Sequence, residues 1–231
     1  MRDDIAQAEE AASLHGDATR PLRVRNGVFT SNSYICATSD AGACILVDPG
    51  LDGPAIDAAL ARSGLLPRAV FCTHGHFDHV GSSGEFQRRF NIPVYLHRAD
   101  ARTARGSNFL MMAFKINARI VLPSFELVDD GFTLRLGGDD IRYLHTPGHT
   151  PGSSVVVFRG NAFTGDTLYH DGVGLVSLPG ENEAHLRHSI LALWDRLADD
   201  IWVNPGHGGA GWFGAIKRQN TALRQFLGLQ P

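Results

Sequence analysis

Cys72-Thr73-His74-Gly75-His76-Phe77-Asp78-His79-Val80-Gly81 sets three histidines and one aspartate within six positions, at the end of the apolar run Ala69-Val70-Phe71-Cys72. Imidazole nitrogen and carboxylate oxygen are the donors that hold zinc, iron or manganese. Four such groups this close are more than one small ion takes from a single loop. The spacing predicts two metals side by side, with the remaining ligands supplied from elsewhere in the chain.

Outward from this stretch, the chain alternates strand and helix patterns. Ser33-Tyr34-Ile35-Cys36-Ala37 and Ala43-Cys44-Ile45-Leu46-Val47 read as strands, the second closed by the turn Asp48-Pro49-Gly50. Helical spacing of Ile56, Leu60 and Ala61 predicts a helix over 53–63. The cluster itself follows a buried strand at 69–72, and a helix at 82–90 and a strand at 94–96 come next. Further strands are predicted at 133–136, 141–144, 154–158 and 201–203, with helices at 183–198 and 214–227. Strands with helices between them predict an α/β domain of two sheets with helices outside. One domain is expected over 22–231, preceded by a polar extension at 1–21. In that extension, residues 4–15 form a short amphipathic helix or remain frayed.

Three later motifs repeat the strand-to-loop placement. They are His145-Thr146-Pro147-Gly148-His149-Thr150-Pro151-Gly152-Ser153, Thr164-Gly165-Asp166-Thr167-Leu168 and Asn204-Pro205-Gly206-His207-Gly208. Loops at strand ends are where rigid scaffolds carry reactive groups, and glycine lets the backbone turn sharply beside an ion.

Composition narrows the classes. A chain of 231 residues with 43% apolar content can bury a proper core. A net charge of −3 argues against a nucleic-acid protein. Cys36, Cys44 and Cys72 are too few, in surroundings too apolar, for a disulfide framework, and are expected as reduced buried thiols. The first twenty residues lack the apolar run of a secretory signal, and no stretch is long and apolar enough to span a bilayer. A cytoplasmic enzyme with no membrane or nucleic-acid partner is the expectation, its oligomeric state left open.

His74-x-His76-x-Asp78-His79, followed in order by His149, Asp166 and His207, resembles the signature of the metallo-β-lactamase superfamily, over roughly residues 22–227. The resemblance implies an αββα four-layer sandwich, two mixed sheets flanked by helices, with a dinuclear site between the sheets. It implies that His74, His76 and His149 hold one metal, that Asp78, His79 and His207 hold the other, and that Asp166 bridges them. Two divalent ions are implied as cofactors, zinc first, with iron or manganese as alternatives. Three terminal ligands per ion plus a bridge leave room for water, as a catalytic site requires. Asp48 is expected to orient a metal-bound histidine through a hydrogen bond.

Within the superfamily, Ile141 to Ser153, Thr164 to Leu168 and Pro205 to Gly208 look like the glyoxalase II branch, whose members hydrolyse thioesters. That branch implies a metal-bridging hydroxide attacking a thioester, ester or lactone carbonyl of a small molecule, with Asp78 and Asp166 as the catalytic carboxylates. Two departures stand out. The arginine that often follows the Gly-Asp-Thr-Leu-Phe motif is missing from Gly172-Val173-Gly174-Leu175, and the chain ends about where the sandwich is complete, without the helical domain that supplies glutathione contacts in longer members. Alternative activities in the same superfamily are a mononuclear-iron persulfide dioxygenase, a lactonase and a β-lactamase-type amide hydrolase. Between Leu96 and Pro123, Arg98, Arg102 and Arg105 fall at helical spacing ahead of Phe109-Leu110-Met111-Met112-Ala113-Phe114. Phe109, Met111, Met112 and Phe114 are expected either to wall a substrate pocket or to pack on the sandwich, and His170 to face the cleft. The arginines read as a solvated basic face, and His145 as structural.

Overall fold

The computed structural model describes residues 19–229, so the expected helix at 4–15 lies outside the described residues. Strands β1 (Leu22–Arg25), β2 (Asn32–Ala37), β3 (Ala43–Val47), β4 (Leu66–Phe71), β5 (Val94–His97) and β6 (Phe125–Val128) form one sheet in sequence order. The pairs β1–β2 and β2–β3 are antiparallel, and those from β3 to β6 are parallel. Parallel neighbours need crossovers. These are α1 (Gly53–Ser63), then α2 (Phe77–Val80) with α3 (Ser83–Phe90), then α4 (Ala101–Ala113). Local chemistry sets the ends of α1: Asp52 accepts from the Ala55 amide at 3.2 Å, and Gly64 stops the helix in the left-handed region at φ 68°.

The second sheet runs β12-β11-β10-β9-β8-β7 across its width. Its strands are β7 (Thr133–Leu136), β8 (Asp139–His145), β9 (Ser154–Phe158), β10 (Asn161–Gly165), β11 (Trp202–Pro205) and β12 (Gly211–Trp212). Only β10–β11 is parallel, and α5 (Glu183–Arg196) makes its crossover. Helices α6 (Phe213–Gln219) and α7 (Thr221–Phe226) close the described chain.

Alternation along the buried strands builds the layers. In β3, Cys44 and Leu46 face α1, α3 and α4, while Ile45 and Val47 face the other sheet. In β9, Val155 and Val157 pack under α5, α6 and α7, while Val156 and Phe158 meet the first sheet. Three apolar layers therefore lie between four structural ones, an αββα sandwich. The Tyr143 hydroxyl crosses its middle, 3.2 Å from the Cys72 carbonyl and 3.1 Å from that of Tyr95.

Some element readings change. The single helix expected over 214–227 is broken at Asn220, whose side chain accepts from Leu223 N at 2.9 Å and Gly172 N at 3.1 Å. Asparagine offers the backbone an N-cap in place of a continuing helix. Strands β6 and β12 and the one-turn helix α2 were not expected. Among the described residues, no helix is long and apolar enough to cross a membrane. The loops after β4, β8, β10 and β11 gather at one end of the sandwich, where the histidines and aspartates meet.

Candidate metal centre

The loop after β4 and the one after β8 bring three imidazoles together. His74 Nε2 lies 3.2 Å from His76 Nδ1, which lies 3.0 Å from His149 Nε2. Two of the outer nitrogens are fixed. His149 Nδ1 donates to the Gly174 carbonyl at 2.9 Å, so its Nε2 lone pair points inward. The Thr73 hydroxyl donates to Asp48 Oδ2 at 2.7 Å and stands 3.1 Å from His74 Nδ1. With its proton committed to Asp48, that hydroxyl accepts from Nδ1–H and leaves His74 Nε2 free as a ligand.

A second group adjoins the first. Asp78 Oδ2 is 3.4 Å from His79 Nε2 and 3.3 Å from His207 Nε2. Asp166 lies between the two groups. Its Oδ1 is 3.5 Å from His79 Nε2, and its Oδ2 is 3.4 Å from both His149 Nε2 and His207 Nε2. Gly206 makes room for this, since a side chain there would collide with Asp166 Oδ1 and the His79 ring. Asp48 takes the Thr73 amide at 2.7 Å and faces His79 Nδ1 at 2.9 Å, so one carboxylate orients His79 directly and His74 through Thr73. Its own backbone is left-handed, at φ 49°.

The donor set fits metal. His74, His76 and His149, then His74, His79 and Asp166, then Asp78, His79 and His207, each present ligand atoms within 4.8 Å of one another. His79 Nε2 and Asp166 Oδ1 are buried with no hydrogen-bond partner. Buried polar atoms are rarely left so, and a cation between them would satisfy both. Electrostatics divides the centre. Burial, reinforced by His79, holds the His74 imidazole well below its ordinary value, and burial with His149 beside it brings His76 down to about 4. Burial opposes the cation at His79 too, but the carboxylates of Asp78, Asp166 and Asp48 outweigh it and hold it well above. At His207 burial again opposes, and hydrogen bonds to Asp166 and Asp78 raise it to about 10. Both aspartates, despite burial, are held below the usual carboxylate range by His79 and His207. His74 and His76 are thus held as neutral imidazoles, while in the second group the carboxylates of Asp78 and Asp166 lie against His79 and His207.

The family model described as the metallo-beta-lactamase superfamily matches residues 26–207. The chain belongs to this superfamily. It is 31% identical over 192 residues to the probable metallo-hydrolase YqgX of Bacillus subtilis, covering 80% of this chain and 89% of that one. It is 30% identical over 209 residues to the hydroxyacylglutathione hydrolase GloC of Haemophilus influenzae, covering 84% and 93%. The crystal structure of TTHA1623 in a di-iron-bound form superposes with a TM-score of 0.76 at 31% identity, over 86% of this chain and 98% of that one.

Other expected residues sit less uniformly in this superfamily member. Met111 is fully buried, which removes it from the pocket. Ala104, Ser107 and Met111 form the inner stripe of α4, so Phe109 and Met112 point to solvent, 75% and 71% exposed. Of the four, only Phe114 reaches toward the centre. It packs 5.9 Å from the Phe29 ring, which is 6.4 Å from His207. His170 is half-exposed, pairs with Asp171 at 2.9 Å and packs beside Gly211. His145 donates to the Pro151 carbonyl and stacks on His97, and Arg98 pairs with Asp129 at the surface.

Several residues escaped the sequence reading. Phe29, on the β1–β2 loop, gave no signal. Tyr169 stands where the branch motif has phenylalanine, so it was visible as a departure. Its ring is 6.0 Å from that of His207, and burial together with the adjacent Asp166 holds its phenol well above the ordinary value. Glu181 accepts from the amides of Val176 and Ser177, bracing the loop that carries the Gly174 carbonyl.

Proposed function

We propose that this superfamily member is a dinuclear metal hydrolase acting on a thioester or a related ester or lactone. The observation that carries the reading is the Asp166 carboxylate, placed within 3.5 Å of nitrogens from both ligand groups. His74, His76 and His149 would hold one ion, Asp78, His79 and His207 the other, and Asp166 would serve both. Two bound divalent ions supply a water that is nucleophilic at neutral pH and positive charge for the attacked carbonyl oxygen. The chain supplies the rest. Asp78 and Asp166 carry the carboxylates able to orient that water and take its proton. His207 is the open side, at 26% side-chain exposure against 8% or less for Asp78, His79, His149 and Asp166. A substrate therefore enters past His207, between Phe29 and Tyr169, where an apolar acyl group finds Phe29 and Phe114.

The names of two relatives, a probable metallo-hydrolase and a hydroxyacylglutathione hydrolase, support a hydrolase with thioester substrates. Zinc is the ion we assign first, and the di-iron form of TTHA1623 makes iron the alternative to measure. The test is elemental analysis of protein produced with ample metal, combined with a panel of S-lactoylglutathione, simple acyl thioesters, lactones and a β-lactam. Two ions per chain and thiol release from thioesters are expected. A single iron with oxygen uptake on persulfides, and no hydrolysis across the panel, would replace this reading with the dioxygenase.

A further inference from the structure

A buried carboxylate outside the ligand set joins the two loops that build the first group. Asp100 ends a 3-10 turn just before α4 and is fully buried. Its Oδ2 accepts from Gly75 N at 2.7 Å and the Thr150 hydroxyl at 2.8 Å. Its Oδ1 accepts from Gly152 N at 2.7 Å and the Thr103 hydroxyl at 3.2 Å. Gly75 lies between ligands His74 and His76, and Thr150 directly follows ligand His149. One side chain therefore spans the three residues of one metal group and touches none of the other.

The same segment holds the opposite end of Gly75. Ser107, on the inner stripe of α4, donates to the Gly75 carbonyl at 2.7 Å. Gly75 has no space to move, since a Cβ there would stand 2.7 Å from Ala104 N and 2.9 Å from the Asp100 carbonyl oxygen. Both peptide groups flanking Gly75 are thus clamped by residues 98–113. Four donors meeting one buried carboxylate also make Asp100 hard to replace, because an amide would set N–H against N–H on one side.

We propose that Asp100, with Ser107, is the positioning element of the first metal group, so that residues 98–113 govern loading of His74, His76 and His149 and leave Asp78, His79 and His207 unaffected. The proposal rests on the dinuclear reading above. Residues behind the ligands tune metal affinity by roughly 10- to 100-fold, and here the effect is confined to one site.

The experiment is zinc titration of metal-free protein by calorimetry in two backgrounds. His207→Ala disables the second group, and His149→Ala disables the first. Asp100→Asn is expected to weaken the ion remaining in the His207→Ala protein by roughly 10- to 100-fold and to leave the ion in the His149→Ala protein unchanged. Ser107→Ala is expected to follow the same pattern at smaller size, and it decides the matter should Asp100→Asn fail to fold. Equal weakening in both backgrounds, or in neither, overturns the proposal. Wild-type protein taking up only one ion overturns the dinuclear reading instead, and the two failures are told apart by that control.

Discussion

Asp48 shows how much a single carboxylate can organise. It accepts from the Thr73 amide and hydroxyl and faces His79 Nδ1, so two ligands of different metal groups depend on it. Asp48→Ala should lower metal affinity or activity by roughly 10- to 100-fold, measured by zinc competition against a chromophoric chelator. Unchanged affinity would show that His74 and His79 hold their orientation without it. Asp166 and His170 are close in sequence but have different partners. Asp166 spans both groups, whereas His170 pairs with exposed Asp171. Asp166→Ala should cost more than the roughly 100-fold typical of outer partners, and His170→Ala should stay within about fivefold, as for an exposed ion pair. Similar losses in kcat/KM at equal metal content would place His170 in the cleft. Site residues with a strong type-and-spacing pattern were legible, because metal donors come from a short menu and recur at strand ends. Asp100, Thr73 and Ser107 were not. Hydrogen-bond donors and acceptors are common at every surface, and only folding shows which become buried beside a ligand.

Helix α4 is the element where the two readings of the sequence, pocket wall and core packing, are divided among residues. An apolar run of five large side chains reads as one wall, but a helix turns successive residues about 100° apart, so the run is divided among faces. Met111 joins Ala104 and Ser107 inside, while Phe109 and Met112 face solvent. Met111→Ala should therefore cost stability, about 2–5 kcal/mol by analogy with other buried long side chains, and leave substrate preference alone. Phe114→Ala should do the reverse. An apolar contact worth roughly 1–3 kcal/mol per methylene would be lost beside Phe29, shifting the ratio of kcat/KM for long and short acyl thioesters. Urea melts and a chain-length series separate the two. A changed ratio in Met111→Ala, or an unchanged one in Phe114→Ala, would reverse the assignment. The helix over 53–63 was readable from its period alone, and the Asp52 cap and Gly64 stop in the structure agree with it. The break at Asn220 was not, because apolar positions continue on both sides and only the cap geometry interrupts them.

At the scale of the molecule, the order of strands and helices was legible, since continuous apolar runs flanked by turn residues mark buried strands whatever their partners. Two sheets with helices outside followed from the strand and helix pattern, but which strand joins which sheet did not, because register and layer depend on long-range contacts that no local pattern carries. The ligands follow the same division. His74, His76, Asp78 and His79 extend from the first sheet, and His149, Asp166 and His207 from the second. Each ion-binding group with Asp166 therefore draws on both halves of the sandwich, and a bound ion ties the two sheets together at one end. An ion bound to the folded state alone, at a thousandfold excess over its Kd, adds about 4 kcal/mol of stability. For a chain this size, each kcal/mol raises Tm by about 2–4 °C, so one saturated site corresponds to roughly 8–16 °C. Stripping metal with a chelator should lower Tm by an amount of this order, and adding zinc back should restore it. In Asp166→Ala the restoration should shrink, since the carboxylate that reaches both groups is gone. Calorimetric scans of stripped, reloaded and variant protein measure this directly. Equal Tm with and without metal would mean that the two sheets hold the ligand geometry unaided, and that the ions serve chemistry without supporting the fold.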